Sequence, residues 1–282
     1  MVSAESEGII RTLAMRDGAE LHYRRWSVRA PRGALIALHG IQSHSGWYVG
    51  SCAHVARAGY EVTFIDRRGA GLNKFGRGHV ESAAVLVDDL REHVDDVRRR
   101  LDDVPVHLAA ISWGAKLACA ALILHPELAD SLTLIGPGLV SKVDVTFGTK
   151  VLTAVALVTN PRKRFDIPLR EAALFTDNPE RIAYIEKDSL SLRECTARFL
   201  YQTRRLDGFV RRNARKLRVP LLVMLAGRDR IVDNQAVRRL VGRFSSRPTE
   251  IIEYPDAAHT LEFEPDPSPI FDDMVKWLDA RS

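Results

Sequence analysis

The 282-residue chain has little cysteine, only Cys52, Cys119 and Cys195, and no CxxC spacing. An odd, scattered trio suggests neither a disulfide framework nor a zinc site, so no structural metal is expected. No apolar run approaches the ~18 residues that would span a bilayer. The first eight residues, Met1-Val-Ser-Ala-Glu-Ser-Glu-Gly8, lack a basic stretch followed by an apolar core. They are therefore not read as a signal peptide, and a cytoplasmic location is the expectation. A large imbalance of charge is also absent: 41 Lys+Arg against 36 Asp+Glu leave +5. That small excess describes a solvated arginine-rich surface better than a nucleic-acid face. The basic stretch from Arg204 to Arg218 holds seven Lys and Arg interleaved with Leu206, Phe209, Val210 and Leu217. It reads as an amphipathic surface segment, and no nucleic-acid motif accompanies it. Internal repeats and low-complexity tracts are missing too.

What is present is an alternation of short apolar runs with helical patterns. Strands are expected at Ile9–Leu13, Leu21–Arg25, Ala34–Leu38, Glu61–Ile65, Val106–Ile111, Ser131–Ile135, Pro220–Ala226 and Glu250–Tyr254. Between them helices are expected near Tyr48–Ala58, Val80–Leu101, the stretch after Gly114, Asn234–Arg243 and Ile270–Ala280. Such alternation implies an α/β fold: a mostly parallel central sheet with helices on both faces. The regularity lapses between Pro137 and Lys216, where helical patterns dominate and no buried strand is evident. The reading is a core in two parts, residues 1–136 and 217–282, with a helical cap or lid at 137–216 inserted between them.

In a parallel sheet, ligands bind outside the carboxyl ends of the strands. At one such end stands Ala110-Ile-Ser112-Trp-Gly114, a small-x-Ser-x-Gly sequence between a strand and a helix. This is the pattern of a nucleophile elbow, where small neighbours let the backbone fold back beneath a projecting serine. A serine needs an imidazole to take its proton and a carboxylate to orient that imidazole. The order Ser, Asp, His is met by Ser112, by Asp229 in Gly227-Arg-Asp229, and by His259 after the last strand. His259 is the only histidine C-terminal to Asp229. Asp233 rivals Asp229, but fits better as the cap of the helix near Asn234. Oxyanion donors are expected from the backbone N–H of Trp113 and of Ile41. His39, Gly40 and Trp47 are assigned to the substrate pocket, with buried aromatic core an equal reading for Trp47 and Trp113.

These stretches resemble the α/β-hydrolase fold, within it the monoacylglycerol lipase and lysophospholipase-like branch of serine hydrolases. The likeness rests on Leu38-His39-Gly40 with His44-Ser45-Gly46-Trp47-Tyr48, on Ala58-Gly59-Tyr60-x-Val62 leading to Asp66-x-Arg68-Gly69-x-Gly71, on the elbow, on Gly227-x-Asp229-x-Ile231-Val232, and on Ala258-His259. It covers residues from about 10 to 280. Departures are Ala110 for the usual glycine, Ala115 and Lys116 after the elbow, and Asn73 where a serine is common. The resemblance implies hydrolysis of carboxylic esters, such as a monoacylglycerol or lysophospholipid, through an acyl-enzyme. No metal or organic cofactor is implied, and the expected partner is a small acyl ester. Amide, thioester or carbon–carbon substrates for the same triad, and a non-catalytic ligand-binding role, remain open alternatives. Ser112 argues against the aspartate nucleophile of dehalogenases and epoxide hydrolases. A proline-type aminopeptidase can carry Ser-Trp-Gly, but its Gly-Gly-Pro-Gly loop is absent after His39. The apolar stretch 147–158, followed by Arg162-Lys163-Arg164, reads either as a lid touching anionic lipid or as packing onto the core, the commoner outcome. Oligomeric state is not legible.

Overall fold

A computed structural model describes residues 7–101 and 103–282; the start of the chain, on which the signal-peptide reading rests, lies outside the described residues. The chain opens with a hairpin, β1 (Ile9–Ala14) and β2 (Glu20–Trp26). It continues through β3 (Gly33–Leu38), α1 (Val49–Arg57), β4 (Tyr60–Ile65), α2 (Ala83–Arg100), β5 (Val106–Ile111), α3 (Gly114–Leu124) and β6 (Ser131–Ile135). After an excursion it returns as β9 (Leu221–Ala226), α7 (Asn234–Val241), β10 (Thr249–Tyr254) and α8 (Ser268–Asp279). The excursion holds α4 (Phe147–Thr159), β7 (Arg164–Asp166), α5 (Pro179–Lys187), β8 (Glu194–Thr196) and α6 (Ala197–Asn213).

Eight strands form one sheet in the order β1-β2-β4-β3-β5-β6-β9-β10. β1 and β2 pair antiparallel, β2 meets β4 antiparallel, and every other neighbour is parallel. Burial explains this arrangement. All residues of β3, β4, β5 and β9 are buried, as expected for strands covered on both faces. α3 is buried from Gly114 to Ile123 and reaches the surface only at its last residue, Leu124. α2 instead buries one stripe, Leu86, Leu90, Val94 and Val97, and starts where the Ser82 hydroxyl accepts from the Val85 N–H. That cap moves its start three residues past the expected Val80.

The strand order reverses at β3: the chain moves from β3 to β4 on one side, then to β5 on the other. The loops after β3 and β5 therefore face each other across a crevice at the carboxyl edge. Between β6 and β9 the structure corrects one expectation. Short strands β7 and β8 pair antiparallel there, with Cys195 and Thr196 of β8 buried. Three residues each are too few to show a period in sequence. α6 packs on α3, and α4 packs on α6. α6 is amphipathic, burying Phe199, Gln202, Leu206 and Val210. No helix among the described residues is long and apolar enough to cross a membrane.

Candidate active site

Ser112 sits between β5 and α3 with φ +50°, a left-handed conformation that costs a non-glycine residue about 1–3 kcal/mol. Its surroundings hold it there. The Ser112 N–H donates to the Ile135 carbonyl (2.9 Å), and its own carbonyl accepts from the Gly138 N–H (2.8 Å). Close packing demands glycine at Gly114 and Gly138. A Cβ on Gly114 would lie 2.9 Å from the carbonyl oxygens of Leu38 and His39, and one on Gly138 would lie 2.9 Å from the Ser112 carbonyl carbon. The unusual Ala110 is fully buried within β5 and is accommodated.

The turn brings three distant residues together. The Ser112 Oγ–H donates to His259 Nε2 at 3.0 Å, and His259 Nδ1–H donates to Asp229 Oδ2 at 2.7 Å. Asp229 Oδ1 accepts from the N–H groups of Ile231 and Val232, both at 2.8 Å. Burial works to raise the Asp229 pKa, but the attraction of His259 and these hydrogen bonds outweigh it and hold the carboxylate below its ordinary value. Asp233 caps α7 by accepting from the Ala236 N–H at 2.9 Å. Asp229 and His259 are buried, whereas Ser112 is partly exposed.

The N–H groups of Ile41 and Trp113 are committed to no hydrogen bond among the described residues. Gly40 is packed against Ser112, since a Cβ built on it would lie 3.3 Å from Ser112 Cβ. The loop after β3 thus reaches the serine. The pocket residues fall out differently. Both nitrogens of His39 are engaged by main chain: Nδ1–H donates to the Gly40 carbonyl (2.7 Å) and Nε2 accepts from the Arg67 N–H (2.8 Å). Burial, and then the Arg67 charge, keep the ring well below its usual pKa and neutral. His39 is therefore a strut of the loop. Trp47 is buried too, and its Nε1–H donates to Asp188 Oδ2 at 2.7 Å. Phe175 makes edge contacts with both the Trp47 indole (5.6 Å) and the His259 imidazole (6.0 Å).

Several residues around the site were not singled out from sequence. Asp188 also accepts from His44 Nε2–H (3.0 Å) and Ser191 Oγ–H (2.8 Å). Burial would raise its pKa, but these donors hold it well below the carboxylate range. It ties the loop after α5 to the loop after β3. Lys142 Nζ–H donates to the Asp229 carbonyl (2.6 Å), and the Thr260 N–H donates to the Phe175 carbonyl (2.8 Å). Arg67 donates to the carbonyls of Gly40 and Ile41. The departures after the elbow also find a use: buried Lys116 pairs with Asp207 of α6 at 2.5 Å. No cluster of three or more metal-ligating side chains occurs among the described residues.

Comparison with known proteins decides the family. The Hydrolase_4 family model, described as serine aminopeptidase S33, matches residues 29–266. The chain belongs to that family. Among similar proteins, a monoacylglycerol lipase of Mycolicibacterium smegmatis is 27% identical over 268 residues, covering 93% of each protein. A Homo sapiens monoglyceride lipase is 25% identical over 278 residues, 96% of this chain and 90% of the human one. Among solved structures, a soluble variant of the Saccharomyces cerevisiae monoglyceride lipase, in complex with a substrate analog, superposes with a TM-score of 0.85. Identity there is 20%, with 98% of this chain and 96% of the yeast one covered. The α/β-hydrolase fold expected from sequence is thus the fold of this chain.

Proposed function

We propose that the protein is a serine carboxylic-ester hydrolase acting on monoacylglycerols or similar acyl esters through an acyl-enzyme. The observation that carries this is the continuous hydrogen-bonded series Ser112, His259, Asp229, open on the Ser112 side. Ser112 Oγ attacks the ester carbonyl while His259 Nε2 takes its proton. Asp229 fixes the Nδ1–H tautomer and stabilises the imidazolium. The N–H groups of Ile41 and Trp113 hold the oxyanion of the tetrahedral intermediate. Collapse of that intermediate expels the alcohol, which His259 protonates, and water then repeats the sequence to release the acid. The names of the Mycolicibacterium and human relatives support acylglycerols as the substrate class.

Residues 137–216 are read as a cap over the site, supported by the contacts of Phe175 with His259 and Thr260. On this cap α4 buries only Ala156, leaving Phe147, Val151, Leu152, Val155 and Val158 exposed. That apolar face, with Arg162 and Lys163 beside it, supports peripheral contact with a lipid surface. Free buried cysteines support a cytoplasmic setting. The test is hydrolysis of 1-monoacylglycerols with acyl chains from four to about eighteen carbons, beside aminoacyl p-nitroanilides. Release of fatty acid with no anilide turnover is expected. Anilide cleavage without ester cleavage would assign the site to aminopeptide substrates instead.

A further inference from the structure

One charged side chain behind the site, Arg67, makes no close ion pair with a carboxylate among the described residues, although the Asp66 charge acts on it at longer range. Arg67 follows β4 and Asp66, and only 7% of it is exposed. Its Nη1–H donates to the Gly40 carbonyl (3.1 Å) and its Nη2–H to the Ile41 carbonyl (3.2 Å). Its guanidinium carbon lies 4.5 Å from the Trp113 ring centroid and 5.2 Å from that of Phe199. Its Nε is buried without a hydrogen-bond partner. The nearest carboxylate in sequence, Asp66, is committed elsewhere: it accepts from the Ser45 N–H (2.7 Å) and the Leu72 N–H (2.8 Å). Burying an unpaired cation is costly, so its persistence in the wall of the site needs a reason.

The reason lies in which peptide it grips. The Gly40 carbonyl and the Ile41 N–H belong to one planar peptide group, so fixing the oxygen fixes the opposite direction of the N–H. That carbonyl accepts twice, from Arg67 and from His39 Nδ1–H. Because the Arg67 N–H donates to His39 Nε2, the ring proton is placed on Nδ1, where it can reach Gly40. Donation to a carbonyl by a cation polarises the amide and strengthens its N–H as a donor. The same guanidinium stacks on Trp113, whose N–H is the second donor. Asn73 secures the base of the loop, its Nδ2–H donating to the Asp66 carbonyl (2.5 Å).

We infer that Arg67 is the positioning residue of the oxyanion hole: it orients and polarises the Gly40–Ile41 peptide through its two carbonyl hydrogen bonds, and places a positive charge behind the developing oxyanion. This inference rests on the proposed hydrolase reading. It makes Arg67 act in the transition state through the Ile41 N–H, without touching substrate.

The experiment compares wild type with Arg67→Met, Arg67→Gln and Arg67→Lys on p-nitrophenyl butyrate, together with inhibition by an alkyl trifluoromethyl ketone, whose hemiketal mimics the oxyanion. Circular dichroism and thermal melts select the folded variants. The expected result is a fall in kcat of about 10- to 100-fold for Met and Gln, less than loss of a whole hole donor, with KM within about threefold. Ketone affinity should fall in step with kcat/KM. Lys, keeping the charge but reaching one carbonyl, should lie between. If Met does not fold, Gln and Lys carry the same comparison. Folded variants with kcat/KM and ketone affinity within about threefold of wild type would overturn the inference, as would a loss confined to KM. A wild-type protein that hydrolyses no ester and binds no ketone would instead overturn the hydrolase reading, and this one with it.

Discussion

Replacing Gly114 by alanine adds one methyl group at the most crowded point of the elbow. An ideal Cβ there meets two carbonyl oxygens, of Leu38 and His39, at 2.9 Å and the Leu38 carbonyl carbon at 3.2 Å. All three are backbone atoms at the end of β3, so no side chain can rotate away. α3 is buried on all sides from Gly114 to Ile123, which blocks retreat of the helix at the elbow. Overpacking of this kind costs about 1–3 kcal/mol, or about 2–5 °C in Tm for a chain of this size. The displaced atoms lead directly into Gly40 and Ile41. A shift of a fraction of an ångström in the Ile41 N–H should therefore lower kcat on a p-nitrophenyl ester by about 10-fold or more. Gly148 in α4 supplies the control. Its nearest neighbour to a built Cβ is Thr146 Oγ1 at 4.0 Å, so Gly148→Ala should raise stability by about 0.4–1 kcal/mol and leave kcat unchanged. Thermal melts and initial rates on both variants decide the matter. A Gly114→Ala protein as stable and as active as wild type would refute the steric reasoning.

Asp229→Asn should lower kcat by about 10⁴ with little change in KM. An amide that still accepts from Ile231 and Val232 turns its NH2 toward His259 Nδ1 and forces the wrong tautomer; steady-state kinetics check this. Glu262 accepts from the Ser51 N–H at 3.0 Å, and burial pushes its carboxyl up to about 7. The folded protein thus holds a proton that the unfolded chain releases above about pH 4.3, so the group's contribution is present below that pH and is lost as pH rises through 7. Glu262→Gln should therefore gain about 2 kcal/mol on wild type between pH 5 and pH 8, after discounting for the solvent that still reaches the residue; denaturant melts at the two pH values read it. Cys52, Cys119 and Cys195 are free and buried, and burial pushes Cys119 and Cys195 up to about 12 and Cys52 well above its ordinary value. Ellman's reagent should find no fast-reacting thiol in the native protein and all three after unfolding.

The core strands were legible because double burial leaves an apolar run: Leu35–Leu38, Val106–Ile111 and Leu221–Ala226 carry their structure in their composition. The order of Ser112, Asp229 and His259 was legible because each stands at the end of a strand. Other features depend on what lies far away in sequence. β7 and β8 form only by pairing with each other across the chain, and three residues show no period. His39 reads as a pocket residue beside Gly40, yet its two nitrogens serve main-chain groups of residues 40 and 67. Arg67 looks like an ordinary member of a charged turn. Its position under the Gly40–Ile41 peptide depends on the β3–β4 register, which aligns Leu38 with Ile65. Lys116 likewise looks misplaced in an apolar helix until Asp207 of α6 is seen against it.

The most direct test of the central claim is reaction with a fluorophosphonate, followed by mass analysis of the labelled peptide, in wild type and in Ser112→Ala. The account predicts one phosphonyl group per chain, carried by the peptide containing Ser112, with ester hydrolysis lost in parallel and neither label nor activity in the alanine variant. A folded Ser112→Ala protein that still hydrolyses monoacylglycerol, or label on another residue, would contradict it.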